Sequence, residues 1–131
     1  MSSKSKKGTP EVVSRAKLRY LRGSAQKARL VIDQIRGKRV DEAGDLLRNS
    51  RKRAAQHIYK VLMSAVANTE NAADAAMVDT DELKVVRAFV DEGPVMKRIR
   101  PRAMGRAFPV HKRTCHVTLE LGTIGKRPAG E

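Results

Sequence analysis

With 131 residues, 40% of them hydrophobic, the chain has the length of one domain and enough apolar content for a modest core. Its 28 Lys and Arg outnumber 14 Asp and Glu, leaving a net charge of +14. Such a surface repels itself unless a polyanion neutralises it, which points to nucleic acid first and an anionic membrane second. No run of about 20 apolar residues offers a membrane span, and Cys115, the one cysteine, excludes an internal disulfide and fits a reducing, cytoplasmic compartment.

Residues 1–14 are small, polar and basic, and no apolar stretch of a secretory signal follows them. They read as an extension: a solvated tail, or an arm that orders on nucleic acid. From Arg15 to Arg22 the residues alternate. Ala16, Leu18 and Tyr20 share one face, and Arg15, Lys17 and Arg19 the other, so a half-buried strand with a cationic outer face is expected. Ser24 is placed to cap a helix running to about Arg36, with Ala28, Val31, Ile32 and Ile35 as its buried stripe and Gly37 as its left-handed stop. A second helix is expected over Val40–Arg48, with Ala43, Leu46 and Leu47 inward. Ser50 reads as the cap of a third, reaching Asn71 with Ala54, Ile58, Val61, Leu62, Ala65 and Thr69 buried. Arg51, Lys52 and Arg53 crowd the start of that helix, where cations oppose the dipole. Three cations beside free N–H groups suggest a phosphate there. The acidic stretch Asp74–Glu82 lacks the glycine turn and ligand spacing of a calcium loop and reads as solvated.

Leu83–Glu92 reads as a strand, and Arg113–Leu121 as its partner, with Cys115, Val117, Leu119 and Leu121 buried against a wet face of Thr114, His116, Thr118 and Glu120. The first strand would pair with one of these two. The expected fold class is α+β: a three-stranded antiparallel sheet packed against three helices. Between the last two strands lies the stretch 93–113, with seven Lys or Arg, no acid, and three of the chain's five prolines. It must double back, with Val95–Ile99 and Ala107–Val110 as arms and Pro101–Arg106 as the tip. Such a protruding hairpin would reach roughly 25–30 Å. A two-stranded ribbon alone in water is marginal, so something anionic is expected to enclose it. Asp91 and Glu92 are expected at its base, paired with Arg113.

No nucleophile–base pair, Gly-rich phosphate loop or paired carboxylates stand out, so no enzyme and no cofactor is expected. A zinc site at His111, Cys115 and His116 is disfavoured, because Cys115 and His116 point to opposite faces of a strand.

The runs S-A-Q-K-A-R-L-V at 24–31, I-R-G-K at 35–38, V-D-E-G-P-V-M-K-R at 90–98, P-R-A-M-G-R-A at 101–107 and K-R-T-C-H-V-T at 112–118 resemble, in order and spacing, the family of bacterial large-subunit ribosomal protein twenty-two. The resemblance covers about Ala16 to Leu121. It implies one rRNA-binding α+β domain over 15–121, followed by a tail at 122–131. It also implies a structural role in the ribosome, with the hairpin helping to line the nascent-peptide exit tunnel. The implied partners are 23S rRNA, other large-subunit ribosomal proteins near the exit tunnel, and the nascent polypeptide, with no membrane and no independent homo-oligomer.

The rRNA-binding set that results has four groups. Lys17 and Arg19 lie on the first strand. Ser24, Lys27 and Arg29, which the family resemblance supplies, lie on the first helix, with Lys38 beyond it. Arg51, Lys52 and Arg53 precede the third helix. Lys97, Arg98, Arg100, Arg102, Arg106, Lys112 and Arg113 belong to the hairpin. The implied tunnel-lining tip is Arg102, Ala103, Met104, Gly105, Arg106 and Ala107. Pro109 departs from the family pattern and, lacking a donor, is expected to disturb pairing in the descending arm. A DNA-binding or DNA-compacting protein is the second reading, and a small nuclease a distant third.

Overall fold

The computed structural model describes residues 11–71 and 82–123. The N-terminal residues 1–10, most of the acidic stretch and the tail from 124 lie outside the described residues. The elements are β1 (Glu11–Arg22), α1 (Ala25–Ile35), α2 (Val40–Asn49), α3 (Arg53–Asn71), β2 (Leu83–Glu92), β3 (Met96–Pro101), β4 (Ala107–Lys112) and β5 (Thr114–Thr123). The fold is α+β: an antiparallel sheet in the order β1-β5-β2, with helices on one face, and a separate two-stranded ribbon β3-β4.

β1 starts four residues earlier than periodicity suggests. Ser14 is buried there, donating to Ala65 O at 3.0 Å and accepting from Thr69 Oγ1 at 2.6 Å, so a polar pair ties the strand to α3. β5 likewise runs on through Gly122 and Thr123. A bulge lies between Leu18 and Leu21. It places Tyr20 at φ +60° and 57% exposed, and gives Leu21 the inward position that alternation assigned to Tyr20. Tyr20 instead stands edge-on to His116, ring centroids 5.0 Å apart, and its N–H donates to His116 Nδ1 at 3.0 Å.

The core is aliphatic: Val31, Ile32 and Ile35 of α1, Ile58 and Leu62 of α3, and Val85, Val117, Leu119 and Leu121 of the sheet. Two helix faces differ from expectation by one position. Ala55 is fully buried where Ala54 was expected and is only half-buried, and Val40 and Gly44 turn inward while Leu46 is exposed. Ser50 does not cap α3. It ends α2, and its Oγ accepts the Lys52 N–H at 3.3 Å. That local turn holds residues 50–52 out of the helix, which begins at Arg53. Ser24 does occupy the N-cap of α1, but its hydroxyl makes no capping bond. Gly37 has φ +79°, as a helix stop requires.

β2 is an edge strand, and its outer carbonyls are satisfied by α1 and the loop after it. Arg29 donates through Nε and Nη2 to Val90 O, Arg36 does the same to Ala88 O, and Gly37 N–H donates to Val85 O. Val85 N–H in turn donates to Lys38 O at 2.9 Å.

Candidate nucleic-acid interface

Beyond Glu92↔Cys115 the ladder breaks and resumes at Met96↔Lys112, with one residue more on the β2 side than on the β5 side. The base is clamped by backbone bonds. Gly93 N–H donates to Thr114 O at 2.9 Å, Gly23 N–H to Arg113 O at 3.0 Å, and Thr114 Oγ1 to Pro94 O at 2.6 Å. Gly93 is needed for this approach, since a Cβ there would lie 2.5 Å from Thr114 Oγ1. The expected pairing of Asp91 or Glu92 with Arg113 is not made; the strand ends are held through main chain instead.

The ribbon pairs from Met96↔Lys112 to Pro101↔Ala107. Six residues per arm give about 20 Å of ladder, less than expected because the base and the tip lie outside it. The tip is a tight turn over Ala103–Gly105, with Met104 at φ +64° and Gly105 at φ +69°, closed by Arg102 N–H to Arg106 O at 2.7 Å. That bond marks Arg102/Arg106 as a hydrogen-bonded pair. By alternation Pro101↔Ala107 and Ile99↔Pro109 are non-bonded pairs. Both prolines therefore sit where an N–H would face away from the partner strand, and pairing continues through Pro109, contrary to expectation.

Directly opposed residues share a face. One face carries Arg98, Arg100 and Lys112, with Phe108, Val110 and Met96 between them. The tip cation Arg102 lies 5.9 Å over the Phe108 ring. The other face carries Ile99, Pro101, Ala107 and Pro109, with Lys97 and His111 near the base. Ile99 is 76% exposed and Met104 95%. Large apolar side chains held in water on a marginal ribbon are an unfavourable arrangement for a free molecule.

The other expected contact residues fall into distinct places. Ser24 lies beside the ribbon base, where it lines a cleft with Glu92, Gly93, Val95 and Arg113. Ser24 and Lys27 line a larger cavity with Lys52 and Arg53. These two clefts join the ribbon base to the starts of α1 and α3. Arg51 is exposed next to Lys52. Lys17 and Arg19 are exposed on β1. Lys38 lies beyond the opposite end of α1, whose eleven residues span about 16 Å, and so stands apart from Ser24. Arg29 is held by the Val90 carbonyl.

Sequence reasoning passed over Arg22, Lys60, Arg87 and His57. Arg22 and His57 line the larger cavity, and Lys60 lines a groove with Lys17 and His57. Arg87 is exposed over Phe89, 5.0 Å from its ring centroid. Arg22 could have been found as the last cation of the β1 run, whereas His57, a single polar residue in mid-helix, carries no local signal. Glu92 lines the cleft at the ribbon base, while the other described acids line neither cleft. Asp41 and Asp45 lie on α2, beside Arg48, whose guanidinium donates to Tyr59 Oη at 2.6 Å. Cys115 is buried, and desolvation pushes its thiol pKa up, with Arg29 opposing. It stays a neutral core group. Among the described residues no cluster of His, Cys, Asp or Glu could hold a metal ion, and no helix is long and apolar enough to cross a membrane.

Fold and charge together define a cationic α+β domain bearing a protruding ribbon. The family model of ribosomal protein L22p/L17e matches residues 16–122. The chain belongs to that family of structural proteins of the large ribosomal subunit.

Proposed function

We propose that the protein binds 23S rRNA through one continuous surface and inserts its ribbon into the folded RNA, supporting subunit assembly. In this reading the cationic ribbon face meets phosphates. The tip, Arg102 to Ala107, reaches the wall of the nascent-peptide tunnel, beside other large-subunit proteins and the growing chain. The role is structural and non-catalytic. The observation that carries the reading is the ribbon itself: a free-standing ladder with its arginines on one face and exposed apolar side chains throughout. Arginine suits this task, because its planar fork binds phosphate bidentately and stacks on bases. Ser24, which lines both clefts, and the cations Lys27, Lys52 and Arg53 extend the surface from the ribbon base onto the helices.

The test is the salt dependence of binding to large-subunit rRNA. Replacing Lys97, Arg98, Arg100 and Arg102 together with Gln is expected to flatten the slope of log K against log salt by up to roughly 0.9 for each phosphate that the variant no longer neutralises. An unchanged slope would remove the ribbon from the binding surface. Equal affinity of the native protein for duplex DNA would favour a DNA-binding role.

A further inference from the structure

The cavity between the end of β1 and the first turns of α1 and α3 has a composition that phosphate binding does not explain. Arg22, Lys27, Lys52 and Arg53 line it, and no acidic side chain does. Yet its floor is apolar, formed by Leu21, Ala28, Ala54 and Cys115, and its volume is about 440 Å³. That is within the size of a small-molecule pocket, roughly 300–1,000 Å³. A phosphate needs neither that depth nor that floor, and a stacked RNA helix would cross the rim without entering. Leu30, also in the lining, is 58% exposed. A large aliphatic side chain at the mouth of a cationic cavity fits a ligand that is apolar on its faces and anionic at its ends. Two polar groups are available for its edge. The Ser24 hydroxyl makes no capping bond, and the half-buried His57 imidazole lines the wall.

We propose that this cavity receives a single unstacked nucleotide of the rRNA. Its base enters against Leu30, Ala54 and His57, and its flanking phosphates meet Arg22, Lys27, Lys52 and Arg53. The inference rests on the rRNA-binding reading and adds a specific site to it. Proteins read RNA sequence chiefly through unstacked bases in loops and bulges. Extrusion costs least where a base is already unpaired, so the target is a bulge or loop nucleotide. Here an aliphatic side chain and an imidazole take the place of the aromatic platform, which suits a chain with only four aromatic residues.

The full chain is bound to transcribed large-subunit rRNA, and base reactivity to chemical probes is mapped at each nucleotide. Ala54→Phe fills the cavity, and Leu30→Ser removes its exposed wall; Leu30 lies outside the core, so the second variant folds even if the first does not. Native protein is expected to protect one bulge or loop base. Both variants are expected to lose that protection and to bind at least about tenfold more weakly, while most of the salt slope remains, because the ribbon still neutralises its phosphates. Native affinity and an unchanged reactivity map in Leu30→Ser and a folded Ala54→Phe would overturn the nucleotide site while leaving the ribbon reading intact. So would weaker binding in which the same base stays protected. Failure of the native protein to bind the RNA would instead remove the broader reading.

Discussion

On the outer face of the sheet, Thr118 and Glu120 are neighbours on β5 with opposite surroundings. Glu120 is only 3% exposed, and its carboxylate is met by Arg15 at 2.6 Å. Thr118 is as deeply covered, and its hydroxyl has no partner among the described residues. A buried unpaired hydroxyl carries a desolvation cost without a compensating bond, so Thr118→Val is expected to raise stability by about 1 kcal/mol in a denaturant titration; a loss of stability would show that the hydroxyl is bonded in solution. Alternation along β5 correctly put both residues on the face away from the helices, and wrongly made that face wet. The reason is topological. β5 is central, and Lys17 and Phe89 stand opposite Thr118 on its two neighbours, while Arg15 and Arg87 stand opposite Glu120. Long side chains on edge strands cover short ones between them, and no local pattern says which strand will be central.

The ribbon is the element whose sequence could be read furthest. Its place, cations and turn were legible because glycine, proline and charge act locally, although both arms run two residues beyond the expected ends, to Pro101 and Lys112. The parity of its pairing was not, since it depends on the tip turn closing at Arg102/Arg106. That parity makes a sharp distinction between adjacent positions. Phe108 lies opposite Arg100 in a hydrogen-bonded pair, whereas Pro109 lies in a non-bonded one. Phe108→Pro is therefore expected to remove a ladder bond and open the arm, while Pro109→Ala leaves it closed. Amide exchange of Arg100 and Val110 would report the difference, and equal protection in both variants would contradict the assigned parity. The seal along β2 is a second device hidden from sequence. Arg29 and Arg36 reach carbonyls 61 and 52 residues away. Neither role was legible: Arg29 reads only as an rRNA contact implied by the family resemblance, and nothing local places a strand edge beside α1. The core stripe of α1, by contrast, was legible except for Ala25 in its first turn, since a helix facing one sheet needs only its 3.6-residue period.

At the scale of the molecule, a net charge of +14 meets few internal counterions. Two ion pairs stand out in the described part, Arg15–Glu120 and the exposed Arg36–Asp33. Self-repulsion thus outweighs attraction, and screening should favour the folded state. Adding salt to the free protein is expected to raise its melting temperature by a few degrees, about the shift that 1 kcal/mol gives a small domain; a fall would mean that surface pairs dominate. The same excess of charge was plain from composition, whereas its division into a ribbon, a cavity and a separate acidic flank on α2 needed the fold. One consequence concerns the interval before this protein finds its place. A bare ribbon has two open borders on which a second chain could add a strand. Pro101 removes an outward donor from one border and Pro109 from the other, so neither offers an unbroken row of donors. Newly made copies can then stay apart from one another without giving up the pairing that keeps the ribbon in shape.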